Sequence, residues 1–219
     1  MRPPRMRVAL FGRSLAGFTL ANAMERAGHE VQMLSDPAEL ASFEALIIAV
    51  GDARLEATVE LLEPHVHHGL IVFHTCLSRG VQVLDPLETR GCVVAALAPF
   101  ALMRWAVTTL DELGETVVEL NITEFRGEAV ALSDAERPSF AARAYYAEML
   151  RRLHIAAAVD ARFFPSAEEK PMVGEDMDTE EIIAAYRGAT DPGLRRSYVE
   201  VARRLGEVDG REGLEMGAL

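Results

Sequence analysis

A turn containing glycine, between an apolar strand and a helix, is the segment of this chain best suited to bind a charged ligand. The apolar run Val8–Phe11 leads into Gly12, and Gly17 follows where a helical pattern begins. Gly12 permits the tight turn, Gly17 lets the helix lie close to the strand, and free N–H groups at the helix start attract phosphate. The spacing predicts a site for a ligand of the dinucleotide type.

Ser14 occupies the place of the middle glycine in the G-x-G-x-x-G pattern of dinucleotide sites. Two outcomes stay open: its hydroxymethyl group crowds a pyrophosphate, or its hydroxyl donates a hydrogen bond to one. Arg13 and Leu15 belong to the same turn, and Arg13 is a cation that could reach a phosphate. We therefore predict that Gly12, Arg13, Ser14, Leu15 and Gly17 form the cofactor-binding turn.

The end of the second predicted strand, Glu30–Leu34, is where such folds recognise the adenosine ribose. Ser35 and Asp36 follow this strand, and a carboxylate there accepts a hydrogen bond from the ribose 2′-hydroxyl. Their lack of positive charge favours NAD over NADP, and Arg13 is the argument for NADP. An alternative role for Asp36 is to cap the turn that begins at Pro37, and the two roles are compatible.

The third predicted strand, Ala45–Val50, is a continuous apolar run, which is typical of a strand covered on both faces. Gly51 ends it. Ligands of open α/β sheets bind beyond the carboxyl ends of the strands, so we predict that Val50 and Gly51 complete the cofactor site.

His74 and Thr75 follow the fourth predicted strand, Leu70–Phe73, and are therefore expected at the same edge of the sheet. An imidazole, whose ordinary pKa is near ~6.5, can act as a general acid or base at neutral pH. The Thr75 hydroxyl can bond a substrate oxygen. These two residues are our candidate catalytic residues; the alternative is that His74 only bonds loop backbone.

Cysteine and histidine usage gives no support to a metal site. Cys76 and Cys92 are too few for a disulfide framework or a zinc site of their own. Three histidines, at positions 65, 67 and 68, precede the fourth predicted strand and so fall at the opposite edge of the sheet from the glycine turn. We expect reduced, buried thiols and no bound metal.

Alternating strand and helix patterns predict an α/β fold with a doubly wound, mostly parallel sheet in the strand order 3-2-1-4-5-6. The fifth predicted strand is Val93–Leu97, ended by Pro99, and the sixth is Val117–Ile122. Glu128–Leu132 is a further short strand. Helical patterns prevail beyond it, so we predict a dinucleotide-binding domain over 1–133 and a short helical region over 134–219.

Composition and net charge limit the classes of partner that this chain is expected to bind. The 219 residues carry a formal net charge of −12 at pH 7, half of them are apolar, and a quarter are charged. A strongly negative field repels nucleic acid and anionic membrane surfaces, so we expect neither as a partner. No apolar run is long enough for a transmembrane helix, and we expect a cytoplasmic protein that binds a small molecule.

The residues above resemble a known group of enzymes. The turn Gly12–Gly17 and the segment Gly28–Val31 are similar to the 6-phosphogluconate and 3-hydroxyisobutyrate dehydrogenase superfamily. Phe73–Cys76, Leu84–Leu87 and Ala98–Phe100 are closer to Rossmann-like dehydrogenases of unknown substrate that are related to pyrroline-5-carboxylate reductase. This resemblance implies an NAD(P)-dependent oxidoreductase that acts on a small carbonyl or hydroxy compound. It also implies a homodimer in which the C-terminal helices complete the substrate cleft.

Three departures from that group favour a second hypothesis. Ser14 replaces a glycine, Ala98 replaces a histidine, and the helix predicted over Ala135–Leu153 lacks the lysine that relatives often carry there. The alternative is a non-catalytic, Rossmann-like ligand-binding or sensor protein with a degenerate cofactor site.

Overall fold

A seven-stranded sheet, parallel except for one strand pair, organises the computed structural model, which describes residues 5–157 and 178–210. The strands are β1 (Arg7–Gly12), β2 (Glu30–Met33), β3 (Ala45–Ala49), β4 (Ile71–His74), β5 (Val93–Ala101), β6 (Arg104–Thr109) and β7 (Glu128–Ala131). The helices are α1 (Leu15–Ala27), α2 (Leu55–Leu62), α3 (Asp85–Glu88), α4 (Glu112–Phe125), α5 (Arg137–Ala157), α6 (Thr179–Arg187) and α7 (Pro192–Asp209). The predicted α/β class is confirmed, as is the short strand after position 127.

The strand order is β2-β1-β3-β4-β5-β6-β7, so the predicted order 3-2-1-4-5-6 is wrong. Only a 3-10 turn, Pro37–Ser42, separates β2 from β3, and no crossover helix places β3 outside β2. Instead β3 pairs in parallel with β1, and all five of its residues are buried. β2 becomes the edge strand with three exposed residues, which explains its less apolar sequence.

The predicted sixth strand, Val117–Ile122, lies within helix α4, so that prediction is wrong. Asp111 caps α4, because its carboxylate accepts a hydrogen bond of 2.7 Å from the N–H of Gly114. The buried side chains of α4 recur at helical spacing: Gly114, Val118, Asn121, Ile122 and Phe125. The β-branched run gave a strand-like pattern, and burial on one helical face overrode it.

Strand β5 continues through Pro99 to Ala101, so the prediction that Pro99 ends it is also wrong. The chain then returns as β6, and the two strands pair antiparallel with an irregular register between Pro99 and Ala101. Met103 adopts φ = 58° in the connecting turn. This hairpin supplies the single antiparallel pair of the sheet.

Two apolar clusters cover the faces of the sheet, and a third joins the sheet to the C-terminal helices. Helices α1 and α4 pack on one face, and α2 and α3 on the other. Leu77, Ala98 and Ala106 of the sheet region share the third cluster with α5, α6 and α7. The cleft described next therefore has walls from both parts of the chain, and the division at residue 133 stays a prediction. No helix among the described residues is long and apolar enough to span a bilayer.

Candidate functional site

A cleft of about 420 Å³ opens at the carboxyl edge of the sheet, beyond the paired strands β1 and β3. From these two strands the chain continues to opposite sides, from β1 to β2 and from β3 to β4. Such a switch point is where doubly wound sheets bind ligands. The cleft brings together six of the residues predicted for the site: Arg13, Ser14, Leu15, Val50, Gly51 and Thr75.

Gly12 and Gly17 lie behind the cleft wall and let β1 and α1 approach β3. Gly12 has φ = +101°, and a Cβ on it would lie 2.2 Å from the carbonyl oxygen of Ala49. A Cβ on Gly17 would lie 2.1 Å from the Cβ of Ala49. Both glycines are therefore required by packing within the protein, whether or not a ligand binds.

Ser14 is the N-cap of α1. Its Oγ accepts a hydrogen bond of 3.1 Å from the N–H of Gly17, and its own N–H donates to the carbonyl oxygen of Ala49 at 2.9 Å. Its hydroxyl also lies 3.4 Å from Oγ1 of Thr75. The side chain thus uses one of the helix-start donors that a pyrophosphate would otherwise take.

Two helix-start donors remain. Among the described residues, no acceptor bonds the N–H of Leu15 or of Ala16, which are the first two residues of α1. The exposed side chain of Arg13 stands beside them on the rim. Two amides, the positive end of the helix dipole and a guanidinium fit one phosphate group of a dinucleotide.

The ends of β3 and β4 form the floor of the cleft. The Cys76 thiol donates to the carbonyl oxygen of Val50 at 3.2 Å, and this bond ties the loop after β4 to the end of β3. Burial raises the pKa of the Cys76 thiol well above its ordinary value, and the Asp52 carboxylate raises it further. Both cysteines are free and buried, as predicted, and Cys76 is an uncharged donor rather than a nucleophile.

His74 is fully buried and does not line the cleft. Its Nε2 lies 3.0 Å from the carbonyl oxygen of Gly80, and since a carbonyl only accepts, Nε2 carries the proton. Burial, and secondarily the charge of Arg137, lowers the pKa of His74 to about 3. The imidazole is neutral at physiological pH and holds the loop that leads to Gly80.

Ser35 and Asp36 are exposed at the end of β2 and lie outside the lining of the cleft. Oδ1 of Asp36 accepts a hydrogen bond of 2.9 Å from the N–H of Ala38 and caps the following turn. The capping role is therefore present. The ribose role stays a prediction, since Oδ2 has no bond to a described residue.

The C-terminal helices contribute cleft residues that sequence reasoning missed. Tyr145 of α5 and Glu181 of α6 line the same cleft as Ser14 and Gly51, and Asp52 and Asp178 lie beside them. Tyr145 lies at helical spacing from other buried residues of α5, and this pattern predicts only a core position for it. No local pattern predicts that Glu181 faces the sheet edge.

Tyr145 and Glu181 are directly bonded. The Tyr145 hydroxyl donates to Oε2 of Glu181 at 2.8 Å. Burial, followed by the charges of Asp52 and Asp178, raises the pKa of Glu181, and the bond from Tyr145 opposes that rise. Burial is also the main reason that the pKa of Tyr145 lies well above its ordinary value.

One of the three histidines before β4, His67, contacts backbone carbonyl groups through its ring. Nε2 of His67 lies 3.0 Å from the carbonyl oxygen of Phe43, and Nδ1 lies 3.0 Å from that of His68. Within residues 5–157 and 178–210, no group of three or more histidine, cysteine, aspartate or glutamate side chains could hold a metal ion. The chain's single lysine, Lys170, is outside these ranges.

Comparisons with known proteins give the fold. Residues 33–99, less than half of the chain, match the family described as the Rossmann-like domain. No curated protein sequence matches this chain.

Solved structures of dehydrogenases and reductases share its fold over nearly the whole chain. Mycobacterium tuberculosis 3-hydroxyisobutyrate dehydrogenase, solved with L-serine, aligns with a TM-score of 0.62 at 10% identity and covers 96% of this chain and 100% of that one. Plasmodium falciparum pyrroline carboxylate reductase with bound NADP gives 0.55 at 10% identity, covering 96% and 98%. Synechocystis arogenate dehydrogenase gives 0.54 at 14% identity, covering 96% and 90%.

Proposed function

We propose that this chain is a nicotinamide-dinucleotide-dependent oxidoreductase acting on a small carbonyl or hydroxy compound. The observation that carries the proposal is the cleft at the β1–β3 switch point, where no described residue bonds the N–H groups of Leu15 and Ala16 at the rim. The resemblance of the Gly12–Gly17 turn to dehydrogenases, and the dehydrogenases among structures of the same fold, agree with it.

In this proposal the residues of the α1 start bind the pyrophosphate. The N–H groups of Leu15 and Ala16 donate to one phosphate, and Arg13 pairs with its charge. Asp36 bonds the adenosine ribose, which makes NAD the expected partner. A bound dinucleotide supplies hydride transfer, and the protein supplies orientation and electrostatics.

The Thr75 hydroxyl orients the substrate in this proposal. Thr75 is buried at the floor of the cleft, and its hydroxyl lies close to that of Ser14. When the Ser14 hydroxyl donates to Thr75, the Thr75 hydroxyl can donate to a substrate oxygen. His74 takes no part, because its ring is sealed behind the loop that carries Thr75.

Thermal unfolding with and without NAD⁺, NADH, NADP⁺ and NADPH tests the proposal. A ligand at 100-fold its Kd stabilises a protein by about 2.7 kcal/mol, a readable shift in Tm. A shift with NADH and not NADPH supports Asp36 as the ribose partner, and the reverse supports Arg13. No shift with any of the four contradicts the proposal.

Two charge variants show whether a shift comes from this cleft. Ala16→Asp places a carboxylate at the cleft rim beside the predicted phosphate, and we expect it to abolish the shift. Asn22→Asp adds the same charge at an exposed position of the same helix. We expect that control variant to keep the shift.

One observation favours a second candidate, a non-catalytic binding protein. The Ser14 hydroxyl already accepts the Gly17 N–H, and the carboxylates of Asp52 and Glu181 line the cleft. A site of this kind takes a ligand with less negative charge than a dinucleotide. Absence of any dinucleotide shift makes this candidate the better one.

A further inference from the structure

The hydrogen-bonded pair of Tyr145 and Glu181 lines the cleft and has no part in the function proposed above. The two side chains come from different helices, α5 and α6, and meet at 2.8 Å inside the cleft. Tyr145 is buried and Glu181 is half-buried, so a ligand in the cleft would meet both in a largely desolvated setting.

The position of Glu181 places this pair beside the end of β3. A Cβ on Gly51 would lie 3.3 Å from Oε1 of Glu181, so the carboxylate lies against the chain just past that strand. A dinucleotide with its pyrophosphate at the start of α1 would place its adenosine half toward β2. Its nicotinamide half would then lie toward the ends of β3 and β4. The pair is therefore on the side of the cleft where the nicotinamide would bind.

We propose, resting on the function proposed above, that Tyr145 and Glu181 form a proton-accepting pair that directs this site toward oxidation of a substrate hydroxyl group. The Tyr145 hydroxyl already donates a hydrogen bond to Glu181. Its oxygen is therefore available to accept a hydrogen bond from a substrate O–H.

The atoms balance as follows for an alcohol and an oxidised nicotinamide dinucleotide. The substrate carbon loses its hydrogen with two electrons, as hydride, to the nicotinamide. The hydroxyl proton passes to the Tyr145 oxygen as the Tyr145 proton passes to Oε2 of Glu181. The substrate becomes a carbonyl compound, the dinucleotide is reduced, and Glu181 ends protonated while Tyr145 ends as it began.

The charges around Glu181 suit this role. Asp52 faces it from the turn after β3, Asp178 precedes it on its own helix, and Arg13 and Arg54 line the same cleft. Burial and the two aspartates raise the pKa of Glu181, which makes it a better proton acceptor near neutral pH. An ionised Glu181 also attracts the cationic oxidised nicotinamide ring more than the neutral reduced ring.

Calorimetric titration of the whole chain with the oxidised and reduced forms of each dinucleotide tests this inference. The variants are Glu181→Gln and Tyr145→Phe. The control is Glu180→Gln, which removes the same charge one position away, outside the lining of this cleft. Titrations in two buffers of different ionisation enthalpy measure the protons released on binding.

We expect Glu181→Gln to weaken binding of the oxidised form by about tenfold, the effect of removing a single charge at intermediate dielectric. Binding of the reduced form should change by no more than about twofold. At a pH where Glu181 is partly protonated, binding of the oxidised form releases protons from the wild type and not from Glu181→Gln, and a pH series locates that range. Tyr145→Phe removes a bond that lowers the pKa of Glu181. The pH above which the oxidised form is preferred therefore moves upward in that variant, which a merely structural role would not produce.

Two results would overturn the inference in distinguishable ways. If both redox forms bind and Glu181→Gln affects them equally, or no more than Glu180→Gln does, the pair is structural and the oxidoreductase proposal stands. If neither form binds the wild type, both proposals fail. Circular dichroism on each variant confirms folding, and Tyr145→Phe, which loses only a hydroxyl, supplies the pH test if Glu181→Gln does not fold.

Discussion

Nη2 of Arg137 donates a hydrogen bond of 3.0 Å to the carbonyl oxygen of Cys76. Nη1 of the same guanidinium donates to Oγ1 of Thr108 at 3.0 Å, and the side chain is completely buried. Arg137 begins α5, so one residue ties the C-terminal helices to the loop that forms the cleft floor. Burial lowers the pKa of Arg137 to about 10, which still leaves it charged at neutral pH.

Arg137→Met is expected to destabilise the protein by about 1–3 kcal/mol, because the Cys76 carbonyl loses its donor inside the core. Urea unfolding measures the change. Arg143→Met, an exposed substitution on the same helix, is the control and should stay within about 0.5 kcal/mol of wild type. Equal stability of the two variants would show that the buried guanidinium contributes no net stabilisation.

His74 predicts a specific dependence of stability on pH. Its pKa falls from 6.5 to about 3 on folding, so between these values the unfolded chain binds a proton that the folded chain does not. The contribution of His74 is therefore complete above pH 6.5 and is lost as the pH falls, by about 1.4 kcal/mol per pH unit.

His74→Gln keeps a donor for the Gly80 carbonyl and removes the titration. Between pH 6 and 4, we expect the free energy of unfolding of this variant to fall less steeply than that of the wild type. The two slopes should differ by the effect of one proton, about 1.4 kcal/mol per pH unit. Denaturant titrations across that pH range measure it, and His65→Gln, at an exposed position, serves as control. Parallel curves for wild type and His74→Gln would contradict the buried, neutral imidazole.

Gly12→Ala and Gly69→Ala separate a steric clash from backbone strain. Both glycines have positive φ, +101° and +84°, but a Cβ on Gly69 meets nothing within 4 Å. Gly69→Ala should cost about 1–2 kcal/mol from conformation alone. Gly12→Ala should cost clearly more, or prevent folding, because its Cβ meets the Ala49 carbonyl. Similar midpoints of thermal unfolding for the two variants would contradict the close approach of β1 to β3.

Ser14→Gly decides between the two roles considered for the serine. The variant keeps the N-cap with a loss of only a few tenths of a kcal/mol, whereas Ser14→Ala should lose about 1 kcal/mol. Because the hydroxyl accepts the Gly17 N–H, its removal frees a donor for phosphate. We expect tighter dinucleotide binding by Ser14→Gly in calorimetry. Weaker binding would mean that the hydroxyl itself donates to the ligand.

The parts of the site that the sequence predicts are those set by local chain geometry. The turn between β1 and α1 and the cap at Asp36 follow from residue types at short spacing, and both are present. The strand order was missed because it depends on whether a crossover helix follows β2. The helix over Val117–Ile122 was missed because β-branched residues occur in both strands and buried helix faces.

Tyr145 and Glu181 could not be found from the sequence. They are 36 positions apart, and their contact depends on how α5 and α6 pack against the sheet. His74 was predicted beside the cleft but does not line it, for a related reason. His74 lies at the carboxyl end of β4, as its position in the sequence predicts, but the side chain's direction depends on the loop that returns at Gly80.

Amide chemical-shift mapping with NAD⁺ tests the central claim most directly, since it locates dinucleotide binding residue by residue. Binding at the β1–β3 cleft predicts the largest perturbations at the N–H groups of Leu15, Ala16 and Gly51. The amides of His65, His67 and His68, at the opposite edge of the sheet, should remain unperturbed. Saturable shifts at the amides of Leu15, Ala16 and Gly51 would support the site. Shifts confined to other surfaces, or none at millimolar NAD⁺ and NADP⁺, would contradict it.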